Sequence, residues 1–138
     1  MKLAGQKALA YCEKPKPRDQ AILIFSSDPG LVSSAADTLI AKRLPDIDPM
    51  NVVKLNDDSL KNDDAMLADE LVARSLLGGD RLVRLRLEKE TYAKQVIAVL
   101  SDIDNDRLHA EALWIIEAKD LGKSSKLRSA FEASKAAD

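Results

Sequence analysis

The chain has 138 residues, of which 46% are hydrophobic and 32% charged, a composition that is typical of a single globular domain and excludes a disordered chain. A formal net charge of -2 gives no indication of a strongly basic nucleic-acid-binding surface. The single cysteine, Cys12, excludes an intrachain disulfide, and no apolar run approaches a signal-peptide core or the ~20 residues of a membrane span, so we expect a cytoplasmic protein.

The predicted secondary structure alternates between strands and helices. A short helix is expected over residues 3–13, and a strand over 21–25 is followed by a turn at 26–30 and a helix that stops near Leu44. The later elements are predicted, in chain order, as a strand over 52–55, a helix over 63–77 with Asn62 as N-cap and Gly78 and Gly79 as its stop, a strand over 82–86, a helix over 90–101, a strand over 113–116 and a helix over 123–134.

This alternation predicts an α/β fold of three layers, with a mostly parallel sheet and helices on both faces. Ligands bind such sheets where loops leave the carboxyl ends of the strands. The loops that we expect at that edge span residues 26–31, 56–62, 78–81 and 117–122.

The first long strand, its turn and the following helix have the arrangement of a phosphate-binding loop but not its residues. A working loop has the pattern G-x-x-x-x-G-K-[ST], in which glycines bring backbone N–H groups to phosphate, the lysine offsets its charge and the hydroxyl holds magnesium. Here Leu31 stands at or next to the lysine position, and the first glycine is absent. Asp28 adds a negative charge where phosphate would sit.

A magnesium-dependent ATPase also needs an apolar strand that ends in an acidic pair. The strand over 113–116 ends in Glu117 and Ala118, which supply one acid instead of two. ATP hydrolysis is therefore not expected, and the same holds if these residues are simply strand ends of an unrelated α/β fold.

Leu76 and Leu77 stand out at the end of the helix predicted over 63–77. The core-facing stripe of that helix consists of Leu67, Ala68, Leu71 and Val72, together with Leu60 if the helix is projected back by a turn. At about 100° per residue, Leu76 and Leu77 fall on either side of this stripe. Two interpretations stay open: the pair is an apolar wedge for a partner protein, or the helix has already unwound and both side chains point inward.

Several stretches occur together in an order and spacing found in a known family. They are the run from Ile22 to Val32, the pair Asp48-Pro49, residues 53–55 with Leu60, the run from Ser75 to Leu85, and the run from Glu117 to Arg128 with Phe131 and Glu132. On these stretches, which cover most of residues 20–134, the chain resembles the delta subunit of the bacterial DNA polymerase III clamp loader. The run from Glu117 to Arg128 is the most specific.

The resemblance implies a degenerate AAA+ domain over residues 1–138, with a P-loop NTPase-like topology and without ATP hydrolysis, cofactor or metal. In the family, a Ser-Leu-Phe type motif before a Gly-Gly turn inserts into the ring-shaped sliding clamp and helps to open it for loading on DNA during replication. By resemblance, clamp binding falls on Ser75, Leu76 and Leu77. Leu77 stands where an aromatic residue is usual, and its smaller apolar area is expected to lower affinity by on the order of 1 kcal/mol.

The resemblance also implies partners: the beta sliding clamp and the other loader subunits, gamma/tau and delta-prime, with DNA contacted only within the assembled loader and no membrane. The chain is shorter than the family, so we expect a fragment without the helical lid and collar domains. Its final strand is expected to be missing, which would leave residues 21–25 with an open edge. The alternatives are an atypical nucleotide-binding ATPase of the same fold and a delta-prime type paralogue, whose zinc-binding cysteine cluster does not fit a single Cys12.

Overall fold

An all-parallel β-sheet organises the part of the chain that the computed structural model describes, which comprises residues 2–4, 20–63, 65–74, 78–119, 121 and 125–133. Its strands are β1 (Lys2–Ala4), β2 (Ala21–Phe25), β3 (Val52–Asn56), β4 (Arg81–Leu87) and β5 (Ala112–Ala118). They lie side by side in the order β1-β2-β5-β4-β3, and each neighbouring pair is parallel. The predicted α/β class with a parallel sheet flanked by helices is thereby confirmed.

One edge of the sheet differs from the prediction. The backbone of β1 pairs with β2, with Lys2 opposite Leu23 and Ala4 opposite Phe25. The edge of β2 that we expected to be open for want of a final strand is therefore covered. The helix predicted over 3–13 is wrong for residues 3 and 4, and the rest of that range lies outside the described residues. A three-residue strand has too little hydrophobic pattern to be predicted.

The described helices are short apart from the first and the fourth. They are α1 (Pro29–Arg43), α2 (Asp57–Asn62), α3 (Met66–Val72), α4 (Ala93–Asp104) and α5 (Lys126–Ala133). Single 3-10 turns at Pro49–Asn51 and Glu90–Tyr92 precede β3 and α4. None of the described helices combines the length and apolar character needed to traverse a bilayer.

The bounds of the helix predicted over 63–77 are wrong: α3 covers only Met66–Val72 of the described residues, and a separate helix, α2, occupies Asp57–Asn62, where the sequence predicts a loop. A reciprocal capping box starts α2 early: the Asn56 side chain accepts a hydrogen bond from the Ser59 N–H, and the Ser59 hydroxyl accepts one from the Asn56 N–H. Asn62 is the last residue of α2 rather than an N-cap. The carboxylate of Asp63 then accepts the Ala65 N–H at 2.9 Å, which forms a turn between the two helices.

The two faces of the sheet carry separate apolar cores. Under α1, Ile22 and Ile24 of β2 pack with Ile115 of β5. The opposite face packs against α2 to α5, and there the fully buried Trp114 meets Phe131 of α5 edge-on, with ring centroids 6.2 Å apart. All seven residues of β5 are buried because both faces of this central strand are covered.

Candidate functional site

An open cleft of about 440 Å³ lies at the carboxyl edge of the sheet, in front of α1. The turn after β2 forms one wall through Ser26, Pro29 and Gly30, and the ends of β4 and β5 form the other through Arg86 and Glu117. This is the edge at which parallel sheets bind ligands. Two of the loops predicted to lie there, 26–31 and 117–122, contribute described residues to the cleft.

The N-terminus of α1 is already capped by a side chain of the chain itself. The Asp28 carboxylate oxygen Oδ1 accepts hydrogen bonds from the backbone N–H groups of Gly30 at 3.0 Å and Leu31 at 3.3 Å. A phosphate bound at a helix N-terminus would use these same donors. The carboxylate therefore occupies the anion position, and Leu31 supplies no cation to draw phosphate in.

Glu117, the one acid predicted after the central apolar strand, is buried with 3% of its side chain exposed. The guanidinium of Arg84 holds it in a two-pronged contact: Nε donates to Oε2 in a short hydrogen bond, and Nη2 donates to Oε1 at 3.3 Å. Arg84 also reaches α1, where Nη1 donates to Asp37 Oδ1 at 2.9 Å and Nη2 to the Ser33 carbonyl at 3.5 Å. A carboxylate neutralised in this way is not free to hold a magnesium ion.

The hydrogen bond to Glu117 is the largest cause that raises the pKa of the Arg84 guanidinium above its ordinary value. The charge of Glu117 and the contact with Asp37 act in the same direction, and burial opposes them. A raised pKa stabilises the fold at every pH below the ordinary arginine value, and this contribution is lost only as the pH rises through the folded-state pKa. Arg84 thus remains a fixed cation at any pH at which the protein is handled.

The other charges around the cleft are more exposed. Arg86 approaches Glu117 Oε1 at 3.6 Å with 57% of its side chain exposed. Glu88, beyond the end of β4, pairs with Lys119 at 3.1 Å, and both side chains are more than half exposed. The cleft is therefore bordered by salt-bridged charges rather than by free acids.

The loop at 78–81 lies at the amino ends of the strands, because it leads into the start of β4. Its expected position at the carboxyl edge is wrong. Gly78 and Gly79 have positive φ values of 76° and 86°, which glycine adopts readily, and they turn the chain into β4 rather than ending α3. The Asn51 amide donates to the Gly78 carbonyl at 3.3 Å and ties this turn to the chain before β3.

The predicted clamp-binding residues Ser75, Leu76 and Leu77 lie outside the described residues. The chain on either side is described: Arg81 Nη1 donates to the carbonyls of Glu70 at 2.6 Å and Ala73 at 2.8 Å. These bonds satisfy backbone acceptors at the end of α3 and fasten it to the start of β4.

Val72 ends α3 with 41% of its surface exposed, although the sequence places it on the core-facing stripe with the buried Leu60, Leu67 and Leu71. The stripe prediction is wrong for this residue because α3 stops there.

Sequence reasoning singled out Glu117 but not its partner Arg84. The pairing itself follows from strand register, since Arg86 lies opposite Glu117 and Arg84 shares its face.

The described residues contain no cluster of acidic, histidine or cysteine side chains able to hold a metal ion. No protein-family model matches the sequence, and no curated protein matches it.

Proposed function

We propose that this chain is a non-catalytic, AAA+-like module of the clamp-loader delta type, which binds the beta sliding clamp and helps to open it for loading on DNA. In this role it would work beside the gamma/tau and delta-prime subunits of the DNA polymerase III holoenzyme. The single observation that carries the proposal is the Asp28 cap, because it keeps the layout of a phosphate-binding turn while filling its anion position.

The arrangement of the strands supports the proposal. The four longer strands lie side by side in the order β2-β5-β4-β3. The first of these four along the chain, β2, therefore pairs with the last, β5, and β4 and then β3 lie beyond β5. In the AAA+-like sheet that the resemblance implies, a further strand would pair beside β2, the position that β1 occupies here. Together with the engaged carboxylate of Glu117, this favours a scaffold that keeps an ATPase layout without its chemistry.

The assignment of clamp binding to Ser75, Leu76 and Leu77 is supported by the sequence and by the ends of the segment that carries them. The segment leaves α3 at the exposed Val72 and enters β4 through two glycines with positive φ. Its partner would need an apolar pocket that accepts two leucine side chains.

Binding to the sliding clamp tests the proposal directly. The parent chain and the double variant Leu76→Ala with Leu77→Ala are compared by surface plasmon resonance on immobilised clamp. We expect the variant to bind at least about 30-fold more weakly, since two apolar anchors are lost. Met50→Ala is the matched control, because Met50 is 80% exposed and lies outside the motif, and it should leave affinity unchanged. Equal affinity of the parent and the double variant would contradict clamp binding through Leu76 and Leu77.

Nucleotide binding provides the second test. Calorimetric titration with Mg·ATP should give no saturable heat at micromolar concentration for the parent or for Leu31→Lys, because the Asp28 carboxylate keeps the N–H groups of the turn in both. Micromolar binding by the parent would instead favour the atypical ATPase.

A further inference from the structure

A second cleft, of about 430 Å³, adjoins the first and shares Ser33, Arg86 and Glu117 with it. It is bordered by α1, through Ser33 and Asp37, and by the ends of β3 and β4. The parallel register sets Lys54 opposite Arg84 and Asn56 opposite Arg86. Because alternate residues of a strand share a face, these four side chains stand together on the face of the sheet that also packs against α1.

The second cleft contains more positive than negative side chains. Three cations, Lys54, Arg84 and Arg86, face two carboxylates, Asp37 and Glu117, which leaves one positive charge in excess. Arg84 engages both carboxylates, is only 15% exposed, and has little donor capacity to spare.

The other two cations keep donors for a ligand. Among the described residues, the ion pair of Arg86 is the 3.6 Å contact with Glu117 Oε1, an oxygen that Arg84 already uses. Lys54 is exposed and has no ion pair among the residues that the structure describes. A guanidinium fork and an ammonium group in one cleft are the donors that bind oxyanions of phosphate or carboxylate.

We propose that the second cleft is an oxyanion-binding site, in which Arg86 and Lys54 hold a phosphate or carboxylate group. Arg84 screens the two native carboxylates and so prevents them from repelling the ligand. The site does not use the N-terminus of α1, and its existence does not depend on clamp binding.

Titration with inorganic phosphate, followed by amide NMR at constant ionic strength set with sodium chloride, tests this proposal. Constant ionic strength separates specific binding from general screening. We expect saturable shifts at the amides of Ser33, Asn56 and Arg86, with a Kd on the order of 1 mM, as two charge-assisted contacts support. Absence of saturable shifts at these amides overturns the proposal.

The variants Lys54→Ser and Arg86→Ser test whether these two residues bind the phosphate. Together they should weaken phosphate binding at least about tenfold, and Lys54→Ser alone, whose side chain makes no described ion pair, should weaken it about threefold. The control pair Lys42→Ser with Arg107→Ser also removes one lysine and one arginine. Lys42 lies in the last turn of α1 and Arg107 just after the end of α4, outside the cleft, so the affinity should stay unchanged. An equal loss in the control pair, or no loss in Lys54→Ser, overturns the proposal.

A parallel titration with glutarate distinguishes the two sources of the oxyanion. Shifts at the same amides with phosphate alone identify a phosphoryl ligand. Shifts with glutarate of equal or greater affinity identify the carboxylate of a protein partner. Failure of the clamp experiment leaves these results intact, so the two proposals stand or fall separately.

Discussion

Arg84 joins three parts of the molecule through one side chain. It belongs to β4, holds Glu117 of β5, and reaches the side chain of Asp37 and the carbonyl of Ser33 on α1. The exposed end of this network at Asp37 adds little, since a solvated ion pair contributes at most about 1 kcal/mol. The buried end at Glu117 is different, because a carboxylate that is 3% exposed depends on its partner.

We predict that Arg84→Met lowers the free energy of unfolding by about 3–5 kcal/mol, because the buried Glu117 then keeps only the long 3.6 Å contact with the exposed Arg86. Urea denaturation measures this. Adding Glu117→Leu to Arg84→Met should restore most of the stability, since an apolar pair of similar volume removes the buried charge. If the double variant is as unstable as the single one, the unpaired carboxylate is not the cause.

Glu88→Gln is the comparison for an exposed pair. Its partner Lys119 is 63% exposed, so we expect a change in unfolding free energy below about 1 kcal/mol. A loss as large as that of Arg84→Met would show that the contrast between buried and exposed pairs is wrong.

Of the pair formed by Glu117 and Arg84, the sequence allowed only Glu117 to be predicted. Glu117 was found because it ends a strongly apolar strand. Its contact with Arg84 joins residues 33 positions apart and depends on which strands are neighbours, which local sequence does not encode.

A local side chain, the carboxylate of Asp28, satisfies the first N–H groups of α1. We predict that Asp28→Ala lowers stability by about 1 kcal/mol, while Asp28→Asn retains most of it, because the amide oxygen still accepts the Gly30 N–H. Thermal denaturation followed by circular dichroism compares the two. An equal loss in both would show that the charge, and not the cap, matters.

The turn into β4 gives a second prediction at the level of elements. Gly78→Ala should lower stability by about 1 kcal/mol, because a Cβ at a φ of 76° is strained although nothing lies within 4 Å of it. Gly78→Asn should lose less, since asparagine tolerates this region. Chemical denaturation of both variants checks the order, and a larger loss for Asn would point to a steric cause.

Elements with long apolar runs were predicted well, and elements set by short polar patterns were not. The strands over 21–25 and 113–116 were found because both faces are buried. The sequence does not predict α2 as a separate helix, because the capping box of Asn56 and Ser59 that starts it and the turn at Asp63 that follows it are short polar patterns.

The sheet as a whole has a protected centre and two unequal edges. β5 and β4 lie inside, whereas β3 forms one edge and the three residues of β1 form the other. We predict that amides of β5 exchange with solvent on the order of 100-fold more slowly than those of β1, because the short edge strand opens locally. Hydrogen exchange followed by NMR measures this, and equal protection would mean that β1 opens only with the whole sheet.

The fold class could be predicted from the alternation of strands and helices, but the covered edge could not. Alternation implies parallel pairing without fixing which strand lies at an edge. The three residues of β1 lie in a region where the sequence favours a helix, and their pairing with β2 is a tertiary effect.

The Asp28 cap and the Arg84–Glu117 pair also bear on how many substitutions would be needed to build a phosphate-binding site at this turn. A lysine introduced at Leu31 enters a turn whose donors are taken, and opening that turn leaves Glu117 engaged by arginine. We therefore expect that no single substitution toward a phosphate site creates nucleotide binding on which selection could act, and that loss of the cap or of Arg84 lowers stability. Under the proposed function, we expect the lack of nucleotide binding to withstand point mutation and to be reversed only by coordinated changes at separate positions.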